Sequence, residues 1–179
     1  MGAKVALVTF ERAGIGRMSC NPAIGGVAKG QMVREIDALG GAMARLIDAA
    51  GIQFRMINTG KGAAVVSPRA QADKERYAQA AREMVESAGL EIIEGEAVEL
   101  IVDRGPPDAD LSSPDGSVSS GLAVTGVRLA SGFELRAPSV ILTTGTFLGG
   151  LMHCGEEKTI GGRIGEKASQ GLSNQLREL

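Results

Sequence analysis

The chain has 179 residues, 44% of them hydrophobic, a formal net charge of -2 and two cysteines. That is the length of one large domain with enough apolar mass for a buried core, which excludes collagen-like and disordered classes. The charge balance leaves no global nucleic-acid footprint, so any RNA contact has to come from a local basic patch. Cys20 and Cys154 stand far apart with no CxxC pair, the usage expected in a reducing cytoplasm. No stretch reaches the ~20 apolar residues of a membrane helix, and MGAKVALVTF at the start lacks the flanks of a signal peptide. A soluble cytoplasmic protein forming one globular unit is expected.

In chain order, Lys4 to Phe10 is a compact aliphatic run without polar alternation, which predicts a strand buried on both faces of a parallel sheet. Glu11 to Gly26 is rich in breakers and reads as a long functional loop. Helical spacing from Val27 to Ala50, interrupted at Gly40-Gly41, predicts two helices meeting at that pair. Ile52 to Asn58 is a predicted strand and Thr59 to Val66 a loop. Ser67-Pro68 then has the form of a cap followed by proline in the first turn, predicting a helix that Gly89 closes. Leu90 to Glu94 and Ala97 to Asp103 read as strands. Residues 104 to 121, RGPPDADLSSPDGSVSSG, form a surface loop. Leu122 to Leu129 and Phe133 to Arg136 predict a hairpin, Ser139 to Thr143 another buried strand, and the tail a short helix near Gln175 to Leu179.

This order suits a dinucleotide-binding α/β fold with an inserted antiparallel layer, yet no G-x-G-x-x-G is present. The most distinctive segment is MSCNPAIGG, residues 18 to 26. Its glycines would let main-chain N–H groups approach a flat or anionic ligand beside a helix start; the plainer alternative is a turn that only caps the helix. Cys20 is a candidate nucleophile if that helix start lowers its thiol pKa, and otherwise a small buried hydrophobe. His153, the only histidine, has no zinc-type spacing around it and no partners that would make it a general base. Lys61, Arg69, Lys74, Arg76 and Arg82 could touch RNA phosphates, but Glu75, Glu83 and Glu86 lie among them, as on a mixed solvated face.

The stretches MSCNPAIGG (18 to 26), KG (29 to 30), EIDALGG (35 to 41), GIQFR (51 to 55), RAQAD (69 to 73), LTTGTFLGG (142 to 150) and GGR (161 to 163) resemble the glucose-inhibited division protein A family. The resemblance implies part of a FAD-dependent enzyme that adds an aminomethyl-type group to C5 of the tRNA wobble uridine. NADH would be the reductant and methylenetetrahydrofolate the one-carbon donor. It further implies a homodimer acting with an MnmE-type GTPase. Met1-Gly2 is similar to an internal Met-Gly of the family. The expected fold is therefore an incomplete Rossmann-like FAD-binding domain, without its first strand and glycine loop, carrying an antiparallel β-meander. The C-terminal domains would be absent, and the chain alone inactive.

By the same resemblance, Val98 makes a main-chain contact to the adenosine part of FAD and Ser169 a second FAD contact. Asn21, Gly25, Gly26, Thr144, Gly145 and Thr146 line the flavin pocket, and Cys20 is the candidate catalytic residue. Gly62-Ala63-Ala64 stands where the family has Gly-Pro-Ala, Cys154 where it has an aliphatic residue, and Glu166 where an acid is expected. Two other readings remain open: a noncatalytic remnant, and a flavin oxidoreductase acting on a small metabolite.

Overall fold

The computed structural model describes residues 2–18, 21–104, 122–163 and 168–179. Cys20 and, except for Arg104, the predicted loop 104 to 121 lie outside the described residues. The chain divides into two compact units, Met1–Glu94 and Gly95–Leu179.

In the first unit, β1 (Ala6–Thr9) is followed by β2 (Ala23–Gly25), α1 (Lys29–Ala38), α2 (Ala42–Ala50), β3 (Gly51–Ile57), β4 (Ser67–Ala72), α3 (Lys74–Ser87) and β5 (Glu91–Glu94). The predicted parallel strand is present: β1 pairs parallel with β5, Ala6 opposite Glu91 through Thr9 opposite Glu94. It is not buried on both faces, since Val5 is 46% and Phe10 42% exposed. Among the described residues β5 is its only ladder partner, so one edge remains open. The two helices meet where expected. Gly40 adopts a φ of 82° and donates its N–H to the Asp37 carbonyl, closing α1 in the left-handed turn that glycine accepts most readily.

The predicted helix start at Ser67-Pro68 is wrong. Ser67–Ala72 is the central strand of an antiparallel sheet ordered β2-β4-β3, and α3 begins six residues on from Pro68, at Lys74. The alternation Arg69, Ala70, Gln71, Ala72, with the alanines buried, is the strand signal that the Ser-Pro pair obscured. Pro68 is tolerated because it lies beyond Arg69, the last residue paired with β2. Asp73 is the true cap: its carboxylate accepts from the N–H groups of Glu75 and Arg76, both at 3.0 Å. Asp73→Ala is expected to cost about 1 kcal/mol, read as a lower urea midpoint at unchanged slope. Ala70 and Ala72 face Leu46, Ile47 and Ala50 of α2 and Tyr77 and Ala81 of α3, and these residues are the core of the unit.

In the second unit, β6 (Ala97–Arg104), β7 (Leu122–Leu129) and β8 (Glu134–Arg136) form the expected meander in the order β6-β7-β8. A hairpin of β9 (Leu151–Cys154) and β10 (Glu157–Ile160) follows, then α4 (Gly171–Glu178), anchored by Leu172 at 1% exposure. The predicted strand Ser139 to Thr143 does not form. Ile141 is 85% exposed, so this apolar run has neither a ladder nor a packed face among the described residues. The final helix starts earlier than expected, at Gly171, and has no side-chain cap that would have marked it.

Arg128 on β7 stands in register between Glu99 on β6 and Glu134 on β8, and is bonded to both. Its hydrogen bond holds the Glu134 carboxyl below its ordinary value of 4.5. A lowered folded-state pKa means the stabilisation is present above 4.5 and is lost as the pH falls through the lowered value. Wild type is therefore expected to lose more thermal stability on acidification across that window than Arg128→Gln does. The difference should be small, since the pair is well exposed.

Candidate functional site

Gly25 and Gly30 of the segment 21–30 are used first for packing. Gly25 pairs with Arg69 across β2 and β4, and a Cβ on it would strike the Pro68 carbonyl oxygen. At Gly30, the same added atom would lie 2.9 Å from that oxygen and 3.0 Å from the Pro68 ring. The turn is also hydrogen-bonded: Gly26 donates to Pro68 at 2.8 Å, Lys29 to Val27 at 2.7 Å and Gly30 to Gly26 at 2.8 Å. The N–H groups of Lys29 and Gly30 are therefore engaged within the turn, and that of Gly26 by β4. Asn21 is exposed, and its carbonyl accepts from Ala23 at 2.7 Å. Cys20 itself is outside the described residues.

In the second unit, two distant predicted residues converge. The β6–β7 register passes from Ala97 opposite Leu129 to Glu99 opposite Arg128, so Val98 sits at a bulge and is left out of the pairing. Ser169, 5% exposed, donates its hydroxyl to the Ala97 carbonyl at 3.0 Å, across 72 positions of sequence. Gly171 completes the arrangement, because a Cβ there would lie 2.7 Å from the Val98 oxygen. A bulged residue outside the paired register, held by its neighbours, is suited to a specific main-chain contact with a flat ligand. The hydroxyl proton of Ser169 is committed to Ala97, which leaves its oxygen lone pairs as acceptors.

The same cluster takes in the predicted Thr144-Gly145-Thr146 turn. Ser169 donates its N–H to Phe147 at 2.9 Å, while Gly149 donates to Ser169 at 2.9 Å. Phe147 in turn donates to Thr144 at 3.1 Å, and Gly145 has a φ of 57°. The Thr146 hydroxyl donates to the Gly162 carbonyl at 3.1 Å, and the Arg163 guanidinium lies 4.9 Å from the centre of the Phe147 ring. Thus Val98, Ser169 and Thr144 to Thr146 lie together in the second unit. Asn21, Gly25, Gly26, Lys61 and Arg69 belong to the first. Sequence reasoning passed over Gly171 and over Gln175, whose side-chain amide bonds both the N–H and the carbonyl of Leu100, at 2.6 and 2.8 Å. The signal for Gly171 would have been its place between Ser169 and the buried Leu172.

His153 is exposed on β9 opposite Lys158, and no hydrogen bond or ion pair joins it to an acid among the described residues. Those residues also hold no group of three or more His, Cys, Asp or Glu that could bind a metal ion. No described helix is long and apolar enough to cross a membrane. Lys74, Arg76 and Arg82 lie on α3 with Glu75, Glu83 and Glu86, the mixed face expected.

Among the described residues, fold and site define a mixed α/β protein that offers a bulged main chain and glycine turns. The chain belongs to the Glucose inhibited division protein A family, whose model matches residues 1–179. It is 49% identical over its whole length to the tRNA uridine 5-carboxymethylaminomethyl modification enzyme MnmG of Salinibacter ruber, covering 25% of that protein. It is 47% identical over 99% of its length to the enzyme of the same name from Aquifex aeolicus, covering 26% of it. The solved structure of Aquifex aeolicus GidA superimposes with a TM-score of 0.80, covering 99% of this chain and 27% of that one. The GidA-related protein of Thermus thermophilus, at 17% identity and a TM-score of 0.55, shares the fold; the match covers 99% of this chain and 58% of that one. The chain thus spans about a quarter of the length of the curated relatives it matches.

Proposed function

We propose that the chain is part of a FAD-dependent enzyme that modifies the wobble uridine of tRNA at C5, in which its second unit holds the adenosine end of the cofactor. The observation that carries this reading is the convergence of Ser169 and Gly171 on the bulge at Val98. It supports the main-chain contact that the family resemblance implies. Thr144, Gly145 and Thr146 extend the same surface, Asn21, Gly25 and Gly26 are assigned to the flavin pocket by resemblance, and Cys20 is the candidate catalytic residue. When bound, FAD would supply two-electron and one-carbon transfer, with NADH as reductant and methylenetetrahydrofolate as carbon donor. The chain's own residues orient and hold. The whole protein would act as a homodimer in the cytoplasm with an MnmE-type GTPase.

The fit of the cofactor is tested by titrating the chain with FAD, FMN and ADP. Binding of FAD with competition by ADP and not by FMN is expected, because the assigned contact is to the adenosine half. Equal binding of FMN and FAD would overturn that assignment. For the reaction, the whole protein is incubated with unmodified tRNA, NADH, methylenetetrahydrofolate, GTP and the GTPase, and the tRNA is digested to nucleosides for mass analysis. A modified uridine is expected; its absence, with a small-metabolite oxidoreductase activity present, would favour the alternative reading.

A further inference from the structure

The hairpin of β3 and β4 with its connecting loop, residues 51–72, carries Arg55, Lys61 and Arg69 and no aspartate or glutamate. This is unusual in a chain with 21 acidic and 19 basic residues. Arg55 lies directly opposite Arg69, and Gln53 directly opposite Gln71. Strand alternation places these four side chains on the face opposite Ala70 and Ala72, which are buried in the core. On the other side of Arg69 is Gly25 of β2, which brings no side chain to pair with it.

Like charges directly opposite one another in a sheet are destabilising. Several other arginines have partners: Arg17 pairs with Glu11, Arg128 with Glu99 and Glu134, Arg136 with Glu134, and Arg76 bonds the Ala49 carbonyl. No such ion pair or side-chain hydrogen bond joins Arg55 or Arg69 among the described residues. The result is a donor-rich face that holds two unneutralised guanidinium forks side by side. Guanidinium is suited to planar, bidentate recognition of phosphate.

We propose that Arg55 and Arg69 together grip one phosphodiester of an RNA strand, with Gln53 and Gln71 beside them and Lys61, in the loop of the same hairpin, on a neighbouring phosphate. This rests on the tRNA reading and adds to it a named contact surface. Arg55 and Arg69 also line an open cavity of about 390 Å³. RNA is favoured over a free nucleotide because exposed Gln53, Arg55 and Lys61 carry the acid-free surface beyond that cavity along the hairpin, as a polyanion bound through its backbone requires.

The test measures binding of the full chain to an unmodified tRNA transcript as a function of salt, for wild type, Arg55→Gln, Arg69→Gln, the double variant and Arg55→Lys. Lys74→Gln, on the mixed face of α3, is the control. Each single glutamine variant is expected to bind about tenfold more weakly and to lower the slope of log affinity against log salt by about one. The double variant should lose little beyond either single one, since both side chains serve the same phosphate. Without RNA, the thermal midpoints of the glutamine variants should equal or exceed that of wild type, because a repulsion has been removed. Wild-type affinity and slope in the variants would overturn the proposal, as would failure of the wild-type chain to bind the transcript. Competition by inorganic pyrophosphate as effective as that by tRNA would overturn it in favour of a free-anion site. FAD binding is measured separately, so a failed flavin titration with an intact RNA effect sinks only the cofactor reading, and the converse only this one.

Discussion

Gly25→Ala is expected to destabilise the chain by about 3 to 4 kcal/mol, and Gly26→Ala by only about 1 to 2 kcal/mol, in urea unfolding. The two adjacent glycines have nearly the same φ, 103° and 101°, in the region that L side chains rarely adopt. Their surroundings differ. A Cβ at Gly26 meets nothing within 4 Å, whereas one at Gly25 strikes the Pro68 oxygen and lies 3.1 Å from the Arg69 Cα. The first substitution thus reports backbone strain plus a clash with an opposing strand, and the second reports strain alone. Equal losses would show that the approach of β2 to β4 is not limited by the absent side chain.

Ser169→Ala is expected to weaken FAD binding about tenfold, equivalent to about 1.4 kcal/mol, and to lower stability by about 1 to 2 kcal/mol. The hydroxyl holds the Ala97 carbonyl next to the bulge at Val98, so its removal frees the main chain that the proposed contact needs. Ser169→Thr, which retains the hydroxyl, should recover part of the affinity. Gly171→Val should lose more affinity than Ser169→Ala, because its side chain would enter the 2.7 Å approach to the Val98 oxygen. Unchanged FAD affinity in Gly171→Val, with the fold intact by circular dichroism, would remove Val98 from the site.

Much of the local structure was legible because it depends on neighbours in the chain. The Gly40-Gly41 break, the meander of β6 to β8 and the closure of α3 near Gly89 follow from glycine placement and apolar periodicity. Elements were misread where local signals conflicted or needed distant partners: β2 lies inside the segment read as a loop, and the β9–β10 hairpin was not foreseen. Ser67-Pro68 imitates a helix start, but the buried alternation of Ala70 and Ala72 against α2 and α3 makes it a strand, and Asp73 takes the cap. Residues 139–143 have the composition of a buried strand, but composition supplies no neighbour to pair with, and Ile141 remains exposed.

The site divides along the same line. The sequence by itself determined the family, through ordered stretches such as MSCNPAIGG and LTTGTFLGG, and with it the expectation that Val98 and Ser169 contact FAD. Only the tertiary structure decided that Ser169 reaches Val98 through Ala97, that Gly25 serves Pro68, and that Arg55 faces Arg69. The physical reason is range. Capping, turn geometry and periodicity are set within a few residues, whereas a bulge, a close backbone approach and a cross-strand charge pair exist only once segments distant in the chain have taken up one register.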